Sequence, residues 1–520
     1  MKERSRTEYS LINMFTGMAG YAINTIVGFA CRVIFVRTLS ADYLGVSGLF
    51  ANVLSMLSLA ELGISSAITY ALYKPIAEKN EEKITSIMHF YKKAYMVIGI
   101  IVAIVGLSII PFLEKIITNP PNIKENIYLL YLLFLTNTVL SYFFSYKSTL
   151  LIAMQRQYIV SGYNYVVTIV QSILQVVFLL VTHEYIWYLL IQIIGGILYN
   201  IWISRKTSHD YPYIDDKDYE KLSKSETWEL LKNVKALAVN KISGILVNST
   251  DNIAITYFVG LSTVGFASNY TLLSSTLDKL TTLLFNGLTG SVGNLNASSN
   301  IEQRYEFFKA LNLANFWLFG WCAIGMAFVS GDLVQLLFGE EFVLPLQVPI
   351  ILAVNMYSIG MLHASYTYKS TLGLFQYGQY LLIFTGIINV VLDIILGRIY
   401  GVFGIYVATL IARLCTNIWY EPYAVYKYGF KKNPILYLNR YLHFLVTIGL
   451  SGIMCYFICE ICQFKLIINI MIKMFICTII PFSIFYIRYR KTEEFIYLKK
   501  SVKKIVVKAF DHIYKGGQNA

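Results

Sequence analysis

Arg32, Lys241, Lys279 and Arg413 each stand inside an otherwise apolar stretch of this chain, and Glu61, Asp251 and Asp278 do the same with the opposite sign. Ionisable groups at membrane depth are costly to keep there, so they point to function. The four cations suit an anionic group, which hydrocarbon cannot accept bare, and a guanidinium presents a planar donor fork to carboxylate or phosphate. The three carboxyls, partly desolvated, can hold a coupling proton or a sodium ion, or serve as counter-ions. Each residue also has a plainer role, as a structural ion pair or as a side chain reaching for the interface. Counting along the helices puts Asp278 and Lys241 at similar depth, so the two are expected to pair.

Polar residues around these charges fall at helical spacing. Gly20, Asn24, Gly28 and Arg32 recur every four residues, as do Lys241, Gly244, Asn248 and Asp251, so each set shares one helix face. Asn164, Thr168, Gln171 and Gln175 form a third stripe, and Ser275, Asp278, Thr282 and Thr289 a fourth. Such stripes line a hydrophilic interior or make interhelical hydrogen bonds.

The elements that must position these residues are transmembrane helices. Fourteen apolar stretches run from Leu11 to Ile487, each about as long as a ~30 Å hydrocarbon core requires. Hydrophobic residues make up 56% of the 520 residues and charged ones 14%, against roughly 25% charged in soluble domains. The first stretch, Leu11 to Val36, is too long for a signal-peptide core and lacks a small-residue cleavage site, so it is expected to stay as the first helix.

The net charge of +13 is a topology signal. With a cytoplasmic N-terminus, only Arg37, Lys115, Lys124, Arg398 and Lys465 fall in outer loops, and most of the 43 Lys and Arg face inward. The basic balance therefore calls for anionic lipid at the inner leaflet rather than for nucleic acid. Both termini are expected in the cytoplasm.

The fold class expected is an all-α polytopic membrane protein of 14 helices, in two six-helix lobes plus two extra C-terminal helices. Gly48-Leu-Phe-Ala-Asn52 in the second span and Gly265-Phe-Ala-Ser-Asn269 in the eighth form a faint internal repeat. The segments are then 1–204 for the N-terminal lobe, 205–235 for a cytoplasmic linker, 236–424 for the second lobe, 425–487 for helices 13 and 14, and 488–520 for a basic tail. In the linker, Ser223 three residues before Glu226 is a capping-box pattern. In the tail, Val502, Ile505, Val506, Ala509, Phe510 and Ile513 alternate with lysines at helical spacing, as in a helix lying on the inner leaflet.

Other chemistries find little support. There is no HExxH or Walker A motif, and no cofactor or metal site is expected. Cys455, Cys459 and Cys462 share a helical face without nearby metal-spaced His or acidic ligands, so core packing is their expected role. A membrane polymerase or ligase would need a sizeable outer loop, and the longest here runs only from Glu114 to Asn126. Asp393, Lys147 and Lys473 are expected to meet solvent or an interface.

Several runs resemble the polysaccharide transporters, or Wzx-type oligosaccharide flippases, of the multidrug/oligosaccharidyl-lipid/polysaccharide exporter superfamily. They are Arg37-Thr-Leu-Ser-Ala-Asp-Tyr-Leu-Gly45, Leu59-Ala-Glu-Leu-Gly-Ile-Ser-Ser-Ala67, Leu72-Tyr-Lys-Pro75 and Thr250-Asp-Asn-Ile-Ala-Ile255 leading to Val264-Gly265. Thr371-Leu-Gly-Leu-Phe-Gln-Tyr-Gly-Gln379 and Val402-Phe-Gly-Ile-Tyr-Val-Ala-Thr409 continue it. The resemblance implies a MATE-like pair of six-helix lobes, alternating access, and export of undecaprenyl-diphosphate-linked oligosaccharide across the bacterial inner membrane. That export would serve capsule, exopolysaccharide or O-antigen synthesis, beside polysaccharide polymerase machinery. In the related lipid II flippases two arginines of the first helix meet the lipid diphosphate, and Arg32 and Arg37 look similar. An ion-coupled multidrug antiporter on the same fold is the alternative.

Overall fold

Long apolar runs leave the backbone one way to satisfy its own N–H and C=O groups in lipid, the α-helix. The computed structural model of the chain follows that rule. It describes residues 6–57, 64–117, 122–216, 218–228, 230–231, 234, 250–374, 377–378, 380–461 and 464–500. Among these, nine helices are long and apolar enough to cross a membrane, and Ala41–Leu57 and Ile127–Phe143 are shorter apolar helices. The protein is a multi-pass, all-α membrane protein.

The helices are α1 (Arg6–Thr38), α2 (Ala41–Leu57), α3 (Ile64–Ala77), α4 (Glu81–Ile109), α5 (Ile127–Phe144), α6 (Gln157–Thr182) and α7 (Tyr185–Asp210). Residues 250–258 are helical, and α8 (Leu261–Ser298), α9 (Ile301–Phe338), α10 (Gln347–Gly360), α11 (His363–Thr371) and α12 (Leu381–Cys415) follow. The last are α13 (Asn417–Ala424), α14 (Ile435–Ile461) and α15 (Leu466–Tyr489). The chain forms two compact units, Met1–Ser268 with Leu382–Ile405, and Asn269–Leu381 with Tyr406–Ala520.

Within the first unit, the N-terminal ends of α2 and α8 cross at two glycines. A Cβ on Gly45 would lie 2.2 Å from the Leu261 carbonyl oxygen, and one on Gly265 would lie 2.5 Å from that of Ala41. Each glycine thus rests on the carbonyl four residues before the other. The contact is reciprocal between Gly45 and Gly265, whereas the faint sequence repeat aligns Gly48 with Gly265. Only the absence of a side chain lets the backbones approach so closely.

The end of the expected eleventh span is also shifted. The helix continues past Leu396 to Gly401, whose φ of 58° and ψ of −138° break α12 and turn the chain back. Gly404 then packs on the Leu396 carbonyl, where a Cβ would sit at 2.1 Å.

The linker docks along α4. Ser86 Oγ donates to the Glu220 carbonyl at 2.5 Å and Thr85 Oγ1 to that of Tyr213 at 3.1 Å. Residues 224–228 are helical. The capping box forms as the sequence suggests: the Ser223 N–H donates to Glu226 Oε2 at 3.0 Å and the Glu226 N–H to Ser223 Oγ at 3.3 Å. Lys83 reaches across to pair with Glu226, and this hydrogen bond above all holds the Glu226 carboxyl down at about 2. Lys147 is itself buried and pairs with Asp215 of the linker, which is about half exposed, at 2.6 Å and with Ser208 at 2.5 Å.

In the second unit, α9 carries the two C-terminal helices. Phe316 stacks on Phe444 of α14 at 4.2 Å and meets Phe485 of α15 at 4.7 Å. Cys455, Cys459 and Cys477 share an apolar cluster with Ile324, Val329 and Ile470; Cys462 lies outside the described residues, as does the tail 501–520. Lys473 pairs with Asp332 at 2.6 Å.

Candidate functional site

Of the seven residues singled out by type and depth, Glu61 and Lys241 lie outside the described residues, and with Lys241 the expected Asp278 pairing. Of the other five, Arg32, Asp251, Asp278 and Arg413 fall in four separate constellations, and Lys279 lies beside Asp278 in sequence.

Arg32, half-buried on α1, donates through Nη2 to Ser268 Oγ at 2.5 Å, and Ser268 in turn donates to the Gly265 carbonyl at 2.7 Å. The glycine crossing of α2 and α8 therefore fixes the hydroxyl that holds the guanidinium. The Tyr188 ring, packed edge-on to Phe35 at 5.1 Å, supplies its neighbouring phenol. Arg37 is exposed at the end of α1.

Asp251 meets a second carboxylate. Asp393 is 2% exposed, and the Asn389 amide one helical turn earlier donates to its Oδ1 at 3.1 Å. The Thr250 hydroxyl also bonds to Asp393, the Asp251 charge acts on it directly, and its Oδ2 is buried without a hydrogen-bond partner. The sequence reading leaves Asp393 at the outer surface; the turn at Gly401, about 12 Å further on by helical rise, places it inside instead. Two carboxylates, an amide and a hydroxyl are the donor set of a small hard cation, or of one shared proton.

In the second unit, Asp278 faces His363, with Nε2 to Oδ1 at 3.5 Å, and the imidazole is stacked against Phe319 at 5.2 Å and Phe285 at 5.6 Å. Lys279, next along α8, is exposed. Arg413 donates through Nη1 to Asn355 Oδ1 at 3.2 Å, and Asn355 is itself fixed by bonds to the Ile351 and Tyr406 carbonyls at 3.1 and 2.9 Å. Tyr366 feels both Arg413 and Glu421. Glu421 is paired with Lys369 at 2.7 Å, the two side chains being 4% and 13% exposed. Neither was found from sequence, because both sit at the ends of the expected spans.

The polar stripes divide between packing and cavity. Gly20 is a contact point, since a Cβ there would come within 1.8 Å of the Tyr165 ring. Gln171 instead lines a hollow of about 450 Å³ in the first unit, with Asn137, Gln192 and Asn200 among its polar walls.

No family model and no curated protein matches the chain in sequence. Solved structures match it in fold. The lipid II flippase MurJ in an inward-closed conformation superposes with a TM-score of 0.67 over 93% of this chain and 99% of that one, at 15% identity. An inward-facing multidrug-resistance MATE transporter of the MOP superfamily matches with a TM-score of 0.57, 13% identity, and 77% and 93% of the two chains. A mutant of the Vibrio cholerae MATE transporter VcmN gives 0.53, 13%, and 82% and 99%. The chain has the MATE-like polytopic fold shared by these transporters.

Proposed function

We propose that the protein is a flippase for undecaprenyl-diphosphate-linked oligosaccharide, working by alternating access in the bacterial inner membrane with both termini in the cytoplasm. The observation that carries this reading is Arg32, a guanidinium inside an apolar helix held in place by the neutral Ser268 hydroxyl at 2.5 Å. The hydroxyl orients the guanidinium, and a phosphate is an anion that its planar fork fits. The fold match to a lipid-linked-substrate flippase over 93% of the chain supports it. Arg413, steadied by Asn355, is the corresponding cation of the second unit, with Lys279 and Lys241 as further candidates. The lipid tail stays in the bilayer, and oligosaccharide hydroxyls meet carboxamides such as those lining the Gln171 hollow.

Asp251 and Asp393 would bind the driving cation, a proton or sodium, with Asn389 and Thr250 as supporting donors. Asp278 with His363 is a second proton-carrying candidate, and Glu61 a third. An ion-coupled multidrug antiporter would share that cation site but would have no use for a phosphate-shaped one.

The test is a proteoliposome assay in which fluorescent undecaprenyl-diphosphate oligosaccharide is scored for leaflet exposure with an impermeant quencher, under imposed proton or sodium gradients. Wild type should accelerate exposure, and folded Arg32→Ala and Arg413→Ala variants should not. Wild-type movement no faster than in empty liposomes, with several glycans tried, would overturn the flippase reading and favour the antiporter. Movement surviving both substitutions would keep the function and discard the cationic site.

A further inference from the structure

The second unit has a half-open hollow of about 470 Å³ beside α9, α14 and α15, lined by Leu313, Phe444, Arg440, His443, Arg488 and Thr492 together with Tyr489 and Glu494. Arg440 stands near the start of α14 and Arg488 in the last turn of α15. These two helices are packed together and joined by the short connection from Ile461 to Leu466. The start of one and the end of the other therefore lie at the same end of the pair, where apolar helix gives way to charged sequence and lipid headgroups belong.

A local turn builds the site. Thr492 Oγ1 donates to the Tyr489 carbonyl at 2.8 Å and accepts from the Phe495 N–H at 3.4 Å, so the chain reverses just after α15. That reversal brings Glu494 back onto Arg440, where the two form an ion pair through Nη2. The Nη1 nitrogen of Arg440 is buried without a hydrogen-bond partner. Arg488 and His443 are exposed and make no ion pair with a described residue. With His443 uncharged, the lining carries two guanidinium charges against one carboxylate.

The apolar walls separate a lipid from a soluble anion. Leu313 and Phe444 form one side, and the helix faces beyond them expose Leu442, Val446 and Ile487 to hydrocarbon. A free phosphate has no use for such walls, whereas a phospholipid can lay its first methylenes on them while its phosphate meets the arginines.

We propose that this hollow binds the phosphodiester headgroup of an anionic phospholipid, with Arg488 as the principal contact and His443 beside it. The inference is independent of the transported substrate. The site is built by α14 and α15 against α9, so an annular lipid there ties the stability of that group to the charge of the leaflet.

The full chain in neutral detergent would be titrated with phosphatidylglycerol, phosphatidylcholine or inorganic phosphate, with bound lipid read by native mass spectrometry and apparent melting temperature read in parallel. Phosphatidylglycerol should bind and raise the melting temperature; phosphatidylcholine and inorganic phosphate at equal concentration should not. Arg488→Gln, an exposed position, should weaken phosphatidylglycerol binding roughly tenfold, as the loss of a charge-assisted hydrogen bond would. Equal binding of phosphatidylcholine, equal protection by inorganic phosphate, or an unchanged Arg488→Gln affinity would each overturn the proposal. Should that variant not fold, a phosphatidylglycerol with a photoreactive group near its headgroup decides on wild type. Cross-links at 485–495 support the site, and cross-links confined elsewhere refute it.

Discussion

Two buried carboxylates in this protein meet the same desolvation cost in opposite ways. Glu421 in the second unit is 3% exposed and has Lys369 at 2.7 Å; Asp393 in the first is 2% exposed and has an amide, a hydroxyl and a second carboxylate. The first arrangement is complete within the protein. The second brings two carboxylates together beside an amide and a hydroxyl, a set that a cation or a shared proton can join. A closed pair suits a structural role and an open one suits a site that fills and empties.

Removing the partner of the closed pair should give the largest effect. Lys369→Met leaves Glu421 buried and uncompensated, a loss of about 3–5 kcal/mol, measurable as a fall in the denaturant midpoint in micelles. Adding Glu421→Leu should restore most of it. A Lys369→Met variant as stable as wild type would mean that the pair is not closed, and the contrast with Asp393 would go.

The open pair should respond in the other direction. Asp393→Asn removes one of two like charges and should leave stability unchanged or raised in the absence of the driving ion. It should also abolish any stabilisation by that ion, which at a hundredfold excess over Kd amounts to about 2.7 kcal/mol in wild type. Melting temperature in sodium against choline chloride, and against pH, reads this directly. A gradient-dependent flipping rate that persists in both Asp251→Asn and Asp393→Asn would remove the coupling role.

How much of this could be read from sequence follows from what each signal depends on. Helices and their apolar lengths are legible because hydropathy is summed over about twenty residues, and the Ser223–Glu226 capping box because it is local. Depth is a count from a span's end, and there the reading slips. Asp393 appears superficial because the expected span stops at Leu396, whereas a positive-φ Gly401 moves the turn outward. Lys369 and Glu421 are 52 residues apart and each looks like an ordinary helix end; only tertiary packing joins them.

Arg32 is oriented by a hydroxyl, that of Ser268. Ser268→Ala should cost about 1.5–3 kcal/mol if the bond to the charged guanidinium is fully formed, and should misplace Arg32 and slow flipping. Arg32→Lys should retain the charge yet lose much of the rate, since an ammonium lacks the planar fork. Equal rates for wild type and Arg32→Lys in the quencher assay would leave a bare positive charge as the requirement.

The smallest effect is expected where the pair is wet. Lys83 and Glu226 have side chains 33% and 41% exposed, so solvent screens them and removing either should cost at most ~1 kcal/mol. The pH dependence has a definite sign. The Glu226 carboxyl is held at about 2, first by the Lys83 hydrogen bond and then by Ser223, against an ordinary value of 4.5. A carboxyl lowered on folding contributes its full stabilisation above 4.5 and loses it as pH falls from there through 2. Amide exchange at 224–228 should therefore be unchanged between about pH 7 and 5, after correction for intrinsic rates, and should rise between about pH 4 and 2. Lys83→Met should shift that rise toward the ordinary carboxylate range. A rise centred near 4.5 already in wild type would mean that the linker is docked by its bonds to Ser86 and Thr85 alone, with Lys83 and Glu226 no more than neighbours.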